Sequence, residues 1–292
     1  MTGCWIEAMR LRTLPVSVAG VIGACGYAFL NGAFDWAPAL LCLLFAILAQ
    51  VASNFANEYY DFKGGLDRKG RVGPRRGVTE GDITPAAMRD AVFLTLGLAC
   101  AVGLCLIYWG GWWLIAAGLL IAAGVLAYST GPFPLSHHGL GEVAVVFFFG
   151  IIPVNLTCYL MTGRFTSEVA VGSVAFGLMG ANVLIVNNYR DCDDDRAVGK
   201  RTLAVILGRK TASALYFANG IAAYCLVLPV WLTMPRLSLL APLAYLGLHT
   251  LLYFRLLKLK GTALNPLLGM TACLMLLYAL MFSGAAAAWR WL

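Results

Sequence analysis

Two short stretches of this chain gather side chains able to hold a cation: "NEYYD", residues 57–61, and "NNYRDCDDD", residues 187–195. On a helix, Asn54, Asn57 and Asp61 stand three and four residues apart and share a face. Asn187, Asp191 and Asp195 fall at i, i+4 and i+8 and form a second stripe. Amide and carboxylate oxygens are hard ligands. They suit Mg²⁺, which keeps several waters and takes one or two carboxylates plus substrate phosphates. Bases crowd the same neighbourhoods: Arg68, Lys69, Arg75 and Arg76 after the first motif, Lys200 and Arg201 after the second. Their side chains can hold phosphate oxygens. The chemistry implied is joint binding of a divalent metal and a diphosphate. The plainer alternative is that these acids pair with nearby bases on solvated loops. Two separate clusters beside apolar runs argue against it, because polar groups near lipid are expensive and tend to be functional.

Membrane helices are the elements that must carry these motifs. The chain is 61% hydrophobic and 12% charged, where a soluble protein carries roughly 25% charged residues. Apolar runs of membrane-spanning length recur at 13–33, 37–57, 89–108, 111–130, 140–162, 168–187, 212–233, 237–256 and 265–287. They lack the alternation of a membrane barrel. Nine helices are therefore expected in one domain over 1–292. Trp109, Trp112 and Trp113 at the least certain break fit an interfacial aromatic belt. The first run resembles a signal peptide but, with eight more behind it, reads as an anchor helix.

Basic residues set the orientation. With the N-terminus inside and the C-terminus outside, 18 of the 21 Lys and Arg fall on the inside, and only Arg164, Arg236 and Arg290 outside. Arg71 is among the 18. The net charge of +7 is thus mostly topology and gives no reason to expect a nucleic-acid partner. The two motifs close the second and sixth spans, and their loops resemble each other. Asn57-Glu58-Tyr59-Tyr60-Asp61 aligns with Asn187-Asn188-Tyr189-Arg190-Asp191, and Asp67-Arg68 sits near the place of Asp195-Arg196. A four-helix unit repeated in parallel, with a ninth helix added, accounts for this and brings Asp67 into the candidate metal set. The nine cysteines form no CxxC pair or Cys/His cluster. No GxxxxGKS or GxxxxGKT phosphate loop is present.

With these residues in view, the chain resembles the UbiA superfamily of intramembrane prenyltransferases. The resemblance rests on "NEYYD" and "DCDDD" and extends over nearly the whole chain. Glu58 stands where that family usually has Asp. Within the superfamily, "GPRRGVTEGDITPAAM" and "YSTGPFPLSHHGLGEV" look like the menaquinone-pathway branch that prenylates 1,4-dihydroxy-2-naphthoate. The resemblance implies Mg²⁺ bridging Asn57, Asp61, Asp191 and Asp195 to a polyprenyl diphosphate. The aromatic acceptor would then attack an allylic cation and lose CO₂. A bacterial plasma membrane and a lateral opening to lipid for the long tail would follow.

Smaller expectations attach to single residues. The Tyr128 ring can face a cation, although an interfacial Tyr is nearly as natural. Arg10 and Arg12 can touch phosphate or the acceptor carboxylate, or simply anchor the topology. His137 and His138 read as exposed and non-catalytic. Asn155 and Asn182 suit hydrogen bonds between helices. Rival functions are prenyl transfer to another aromatic acceptor, such as 4-hydroxybenzoate, and membrane transport. Transport fits less well, because the acids lie at span ends and no broken helix pair marks the midplane.

Overall fold

The computed structural model describes residues 2–70 and 72–291, so Arg71 lies outside the described residues. Every regular element among them is helical. In chain order come α1 (Thr2–Met9), α2 (Leu14–Leu30), α3 (Trp36–Lys63), α4 (Gly77–Glu80), α5 (Pro85–Cys105), α6 (Ile107–Gly110) and α7 (Leu114–Ala127). Next, α8 (Gly141–Val145) passes through a π-helical turn, Val146–Ile151, into α9 (Ile152–Thr162). Four long helices follow: α10 (Ser167–Ala197), α11 (Leu203–Leu232), α12 (Leu240–Lys258) and α13 (Asn265–Trp291).

Among the described residues, eight helical stretches are long and apolar enough to cross a membrane. The expected span 111–130 holds only α7, of 14 residues. At 1.5 Å per residue it is about 21 Å long, short of the roughly 30 Å hydrocarbon layer. Gly111 shortens it by taking a left-handed φ of 83°, which turns the chain through Trp112 and Trp113 before α7 begins.

Two helices overrun the membrane instead. α3 has 28 residues and α10 has 31, about 42 and 46 Å by the same rise. Both motifs stay helical beyond the spans they close. Neither contains Gly or Pro to stop the helix, and the chain turns only near Gly65 and Gly199, at φ 66° and 79°. The acids therefore project from the ends of rigid helices.

α10 is the central helix, packed by α11, α2, α9 and α13. Small residues allow the close approach. A Cβ on Gly150 would collide with the backbone of Gly177, so only glycine lets the π-helical turn lie against α10. Polar bonds tie the helices inside the bundle. Asn219 of α11 donates to Asn182 of α10 at 3.2 Å, and Trp231 of α11 donates to the Tyr278 hydroxyl of α13 at 2.7 Å. Asn155, expected to bond between helices, instead donates to the Ile151 carbonyl one turn back.

Candidate active site

The ends of α3 and α10 face one polar cavity of about 600 Å³. From α3 come Asn54, Asn57 and Asp61; from α10 come Asn187, Asn188, Arg190, Asp191 and Asp195. Arg10, Arg12, Arg75, Arg76, Tyr128, Glu142 and Lys200 also line it. Helical spacing accounts for the selection among the acids. Asp191 and Asp195, four apart, turn inward, while Asp193 pairs with Arg209 at 3.0 Å and Asp194 with Arg68 at 2.5 Å.

Asp61 and Asp191 sit among bases. Asp61 is fully buried, with Lys200 Nζ at 2.7 Å, His137 Nε2 at 3.3 Å and Arg76 Nη2 at 3.9 Å. The Arg190 guanidinium donates to both Asp191 oxygens, at 2.7 and 2.8 Å. It is itself oriented by Asn187 and Asn265, each at 2.8 Å. Asn57 accepts from Arg10 at 2.5 Å and Arg76 at 3.0 Å, and donates to Ser129 at 3.2 Å. Arg10 takes a left-handed φ of 51°, a conformation unusual for a residue with a side chain. Asn54 helps hold that segment by donating to the Met9 carbonyl at 2.9 Å.

Arg76 is the hub of the first motif. Its buried guanidinium lies 3.4 Å from Asp67 and 3.9 Å from both Glu58 and Asp61. Asp67 is thus placed beside Arg76 and off the cavity lining. Glu58 also turns away from the cavity and accepts the Val78 backbone N–H at 3.0 Å. Its longer arm anchors α4, and so positions Arg76 just ahead of it.

Not all the expected bases reach the cavity. Arg68, Lys69 and Arg201 are exposed and stand outside its lining. Arg75 lines it while pairing with Asp82 at 2.6 Å. His137, in contrast, was expected to be an exposed bystander and instead meets Asp61. The 128–140 loop folds back, with Ser136 donating to the Tyr128 carbonyl at 2.6 Å and Arg201 N–H to the His137 carbonyl at 3.0 Å. That fold delivers His137 and leaves its neighbour His138 on the outside, stacked on Phe133 at 3.8 Å. Sequence reasoning also missed Glu142 and Asn188, which bond to each other in the cavity wall at 2.8 Å.

Among the described residues no three His, Cys, Asp or Glu side chains converge to form a metal cage by themselves. The donor set is two inward acidic stripes with an amide, facing a cavity ringed by bases. Such a set fits a Mg²⁺ ion that draws its remaining ligands from water and substrate phosphates.

The polar cavity adjoins apolar space. Gln50, Ser53, Tyr128, Val145 and Phe149 line both it and an apolar cavity of about 130 Å³. That space shares Phe45, Gly103, Leu114 and Gly118 with a third cavity of about 140 Å³ between α5 and α7. Leu104 and Leu119, at its rim, are exposed on the surface of the bundle. A polar head and a long apolar tail could thus share one continuous path, with Tyr128 where they meet.

Residues 18–263 match the family described as the UbiA prenyltransferase family. The 1,4-dihydroxy-2-naphthoate octaprenyltransferase of Escherichia coli is 38% identical over 220 residues, covering 72% of this chain and 70% of that one. The enzyme of the same name from Mycobacterium tuberculosis is 35% identical over 288 residues, covering 97% and 96%. Among solved structures, a UbiA homolog from Archaeoglobus fulgidus bound to DMAPP and Mg²⁺ superposes with a TM-score of 0.66 at 15% identity, covering 96% of this chain and 99% of that one.

Proposed function

This chain belongs to the UbiA prenyltransferase family, and on that premise we propose that it transfers a polyprenyl group from polyprenyl diphosphate to 1,4-dihydroxy-2-naphthoate. The product is demethylmenaquinol, with CO₂ and diphosphate released. The observation that carries the reading is the junction at Tyr128: an acid-and-base-lined chamber adjoins an apolar cavity and shares Tyr128 with it. The names of the similar bacterial enzymes supply the acceptor.

Asn57, Asp61, Asp191 and Asp195 are the residues to hold Mg²⁺. When bound, the metal supplies Lewis-acid neutralisation of the departing diphosphate. Arg10, Arg75, Arg76 and Lys200 ring the same acids. Each can exchange its present carboxylate or amide partner for a phosphate oxygen. Arg12 and Asn187 complete the polar wall. Asp67 serves as the countercharge of Arg76, and Asn54 holds the Arg10 segment. The Tyr128 ring, between chamber and passage, stabilises the allylic cation left when the C–O bond breaks. Apolar walls at the junction keep water from that cation. The acceptor ring then attacks through the carbon bearing its carboxylate, and CO₂ departs.

The same reading assigns the membrane placement. α7, with its flanking turns, makes the ninth crossing, and the two motif helices α3 and α10 are counterparts in a repeated four-helix unit. The N-terminus and the cavity mouth face the cytoplasm of a bacterial cell, where the basic residues concentrate. The tail enters from lipid between α5 and α7.

A product assay tests this. Purified protein in lipid receives Mg²⁺, a polyprenyl diphosphate and either 1,4-dihydroxy-2-naphthoate or 4-hydroxybenzoate, and products are read by mass. A prenylated, decarboxylated naphthoate product, lost on adding EDTA, is expected. A prenylated benzoate that keeps its carboxylate, with no naphthoate product, would refute the acceptor assignment while leaving prenyl transfer in place.

A further inference from the structure

One carboxylate in the polar cavity has no place in the metal and diphosphate site. Glu142, the second residue of α8, is 7% exposed and lines the cavity. Its Oε1 accepts from Asn188 Nδ2 at 2.8 Å. Its Oε2 is buried and meets no donor among the described residues. Buried polar atoms in folded proteins are normally satisfied, and an exception asks for an explanation. No basic side chain among the described residues pairs with Glu142, whereas Asp61, Asp191, Asp193 and Asp194 each have one. A bare carboxylate repels a diphosphate. It attracts a ligand that brings its own O–H.

The position of Glu142 fits such a ligand. Asn188, which fixes its carboxylate, lies on α10 three residues before Asp191, about 4.5 Å along the helix axis. Its sequence neighbour Gly141 lies against Tyr128, whose hydroxyl would stand 3.6 Å from a Cβ added there. Glu142 is therefore close to where the cation forms yet separate from the bases that hold phosphate.

On the prenyl-transfer reading above, we propose that Glu142 is a further catalytic residue, the base that receives the hydroxyl proton of the aromatic acceptor. The acceptor O–H adjacent to the carboxylate-bearing carbon donates to Oε2. As that carbon forms its bond to the allylic carbon, the O–H electron pair becomes the C=O of a keto form and the proton passes to Glu142. The product of this step is a β-keto acid. Its C–CO₂ bond breaks, the electron pair returns through the ring to the oxygen, and Glu142 gives the proton back. No net proton is consumed, and no oxidant or reductant is needed.

The test is Glu142→Gln, which keeps size and the Asn188 contact but cannot take a proton. Two acceptors are compared: 1,4-dihydroxy-2-naphthoate, and a fluorinated analogue whose hydroxyl is already ionised at the assay pH. With the first, kcat should fall at least about 10²-fold, the low end of what a positioned base contributes. Affinity for geranyl diphosphate with Mg²⁺ should stay unchanged. With the ionised analogue, variant and wild type should differ only a few-fold. Asn188→Ala leaves the carboxylate unfixed and should give a smaller loss with the same acceptor dependence, so a folding defect in one variant leaves the other to decide. Equal losses with both acceptors, or no loss with either, would overturn the proposal alone. Wild-type protein that prenylated 4-hydroxybenzoate but not the naphthoate would overturn the acceptor assignment and this inference together.

Discussion

Asp61→Asn separates two roles that one carboxylate plays. The substitution keeps the side-chain volume and removes the charge. Lys200, 2.7 Å away, then has an 11% exposed ammonium without its counterion, and Arg76 loses one of its three acids. Removing one partner of a buried ion pair destabilises by about 3–5 kcal/mol. Lys200 borders the cavity and can turn partly into it, which points to the lower end, about 3 kcal/mol. Adding Lys200→Met removes the stranded charge and should return about 2 kcal/mol, within the coupling range of contacting residues. Activity should behave differently. Loss of a preorganised charge at a reacting centre lowers turnover by about 10²–10³-fold, and the second substitution should not restore it. The assay is thermal unfolding of purified protein in detergent, with prenyl transfer measured well below the transition. If the double variant recovered turnover along with stability, Asp61 would be only the counterion of Lys200, and its assignment to the metal would fail.

Asp191→Asn should lose turnover by a similar factor and also cost about 3–5 kcal/mol of stability, because Arg190, its side chain 1% exposed, is left buried without its counterion even though Asn187 and Asn265 still orient it; a lowered transition temperature together with a collapsed kcat would show it. Arg75→Ala should raise the KM for polyprenyl diphosphate several-fold, since Arg75 lines the cavity, whereas Arg68→Ala should leave it unchanged, since Arg68 points outward to Asp194; steady-state kinetics on both variants decide this. Gly118 lines both apolar cavities and a Cβ there meets nothing within 4 Å. Gly118→Phe should therefore fold, block the passage, and lower turnover of long polyprenyl diphosphates far more than that of dimethylallyl diphosphate, as a chain-length series would reveal.

The two acidic stripes were legible in the sequence because helical period alone decides which acids share a face. Asn57 with Asp61, and Asp191 with Asp195, needed only the assumption of a helix, and α3 and α10 are helical through both motifs. The bases were less legible. Arg76 turns inward while Arg68 and Lys69 turn outward, and no period governs residues in the segment between α3 and α4. What turns Arg76 is a set of contacts distant in sequence, among them Asn57 and the Glu58 bond that pins α4. His137 was hidden for the same reason. The bond from Arg201 to its carbonyl, across 64 positions, and the fold-back of its loop onto Tyr128 bring its ring to Asp61. Glu142 was hidden differently. It is one more acid near a helix start, and the absence of a neighbouring base among the described residues sets it apart from Asp61 and Asp191. The acids at this site are thus distinguished by their partners rather than by their type. Those matched with bases can exchange a cationic side chain for a metal when a phosphate claims the base. The one left unmatched is the one free to handle a proton.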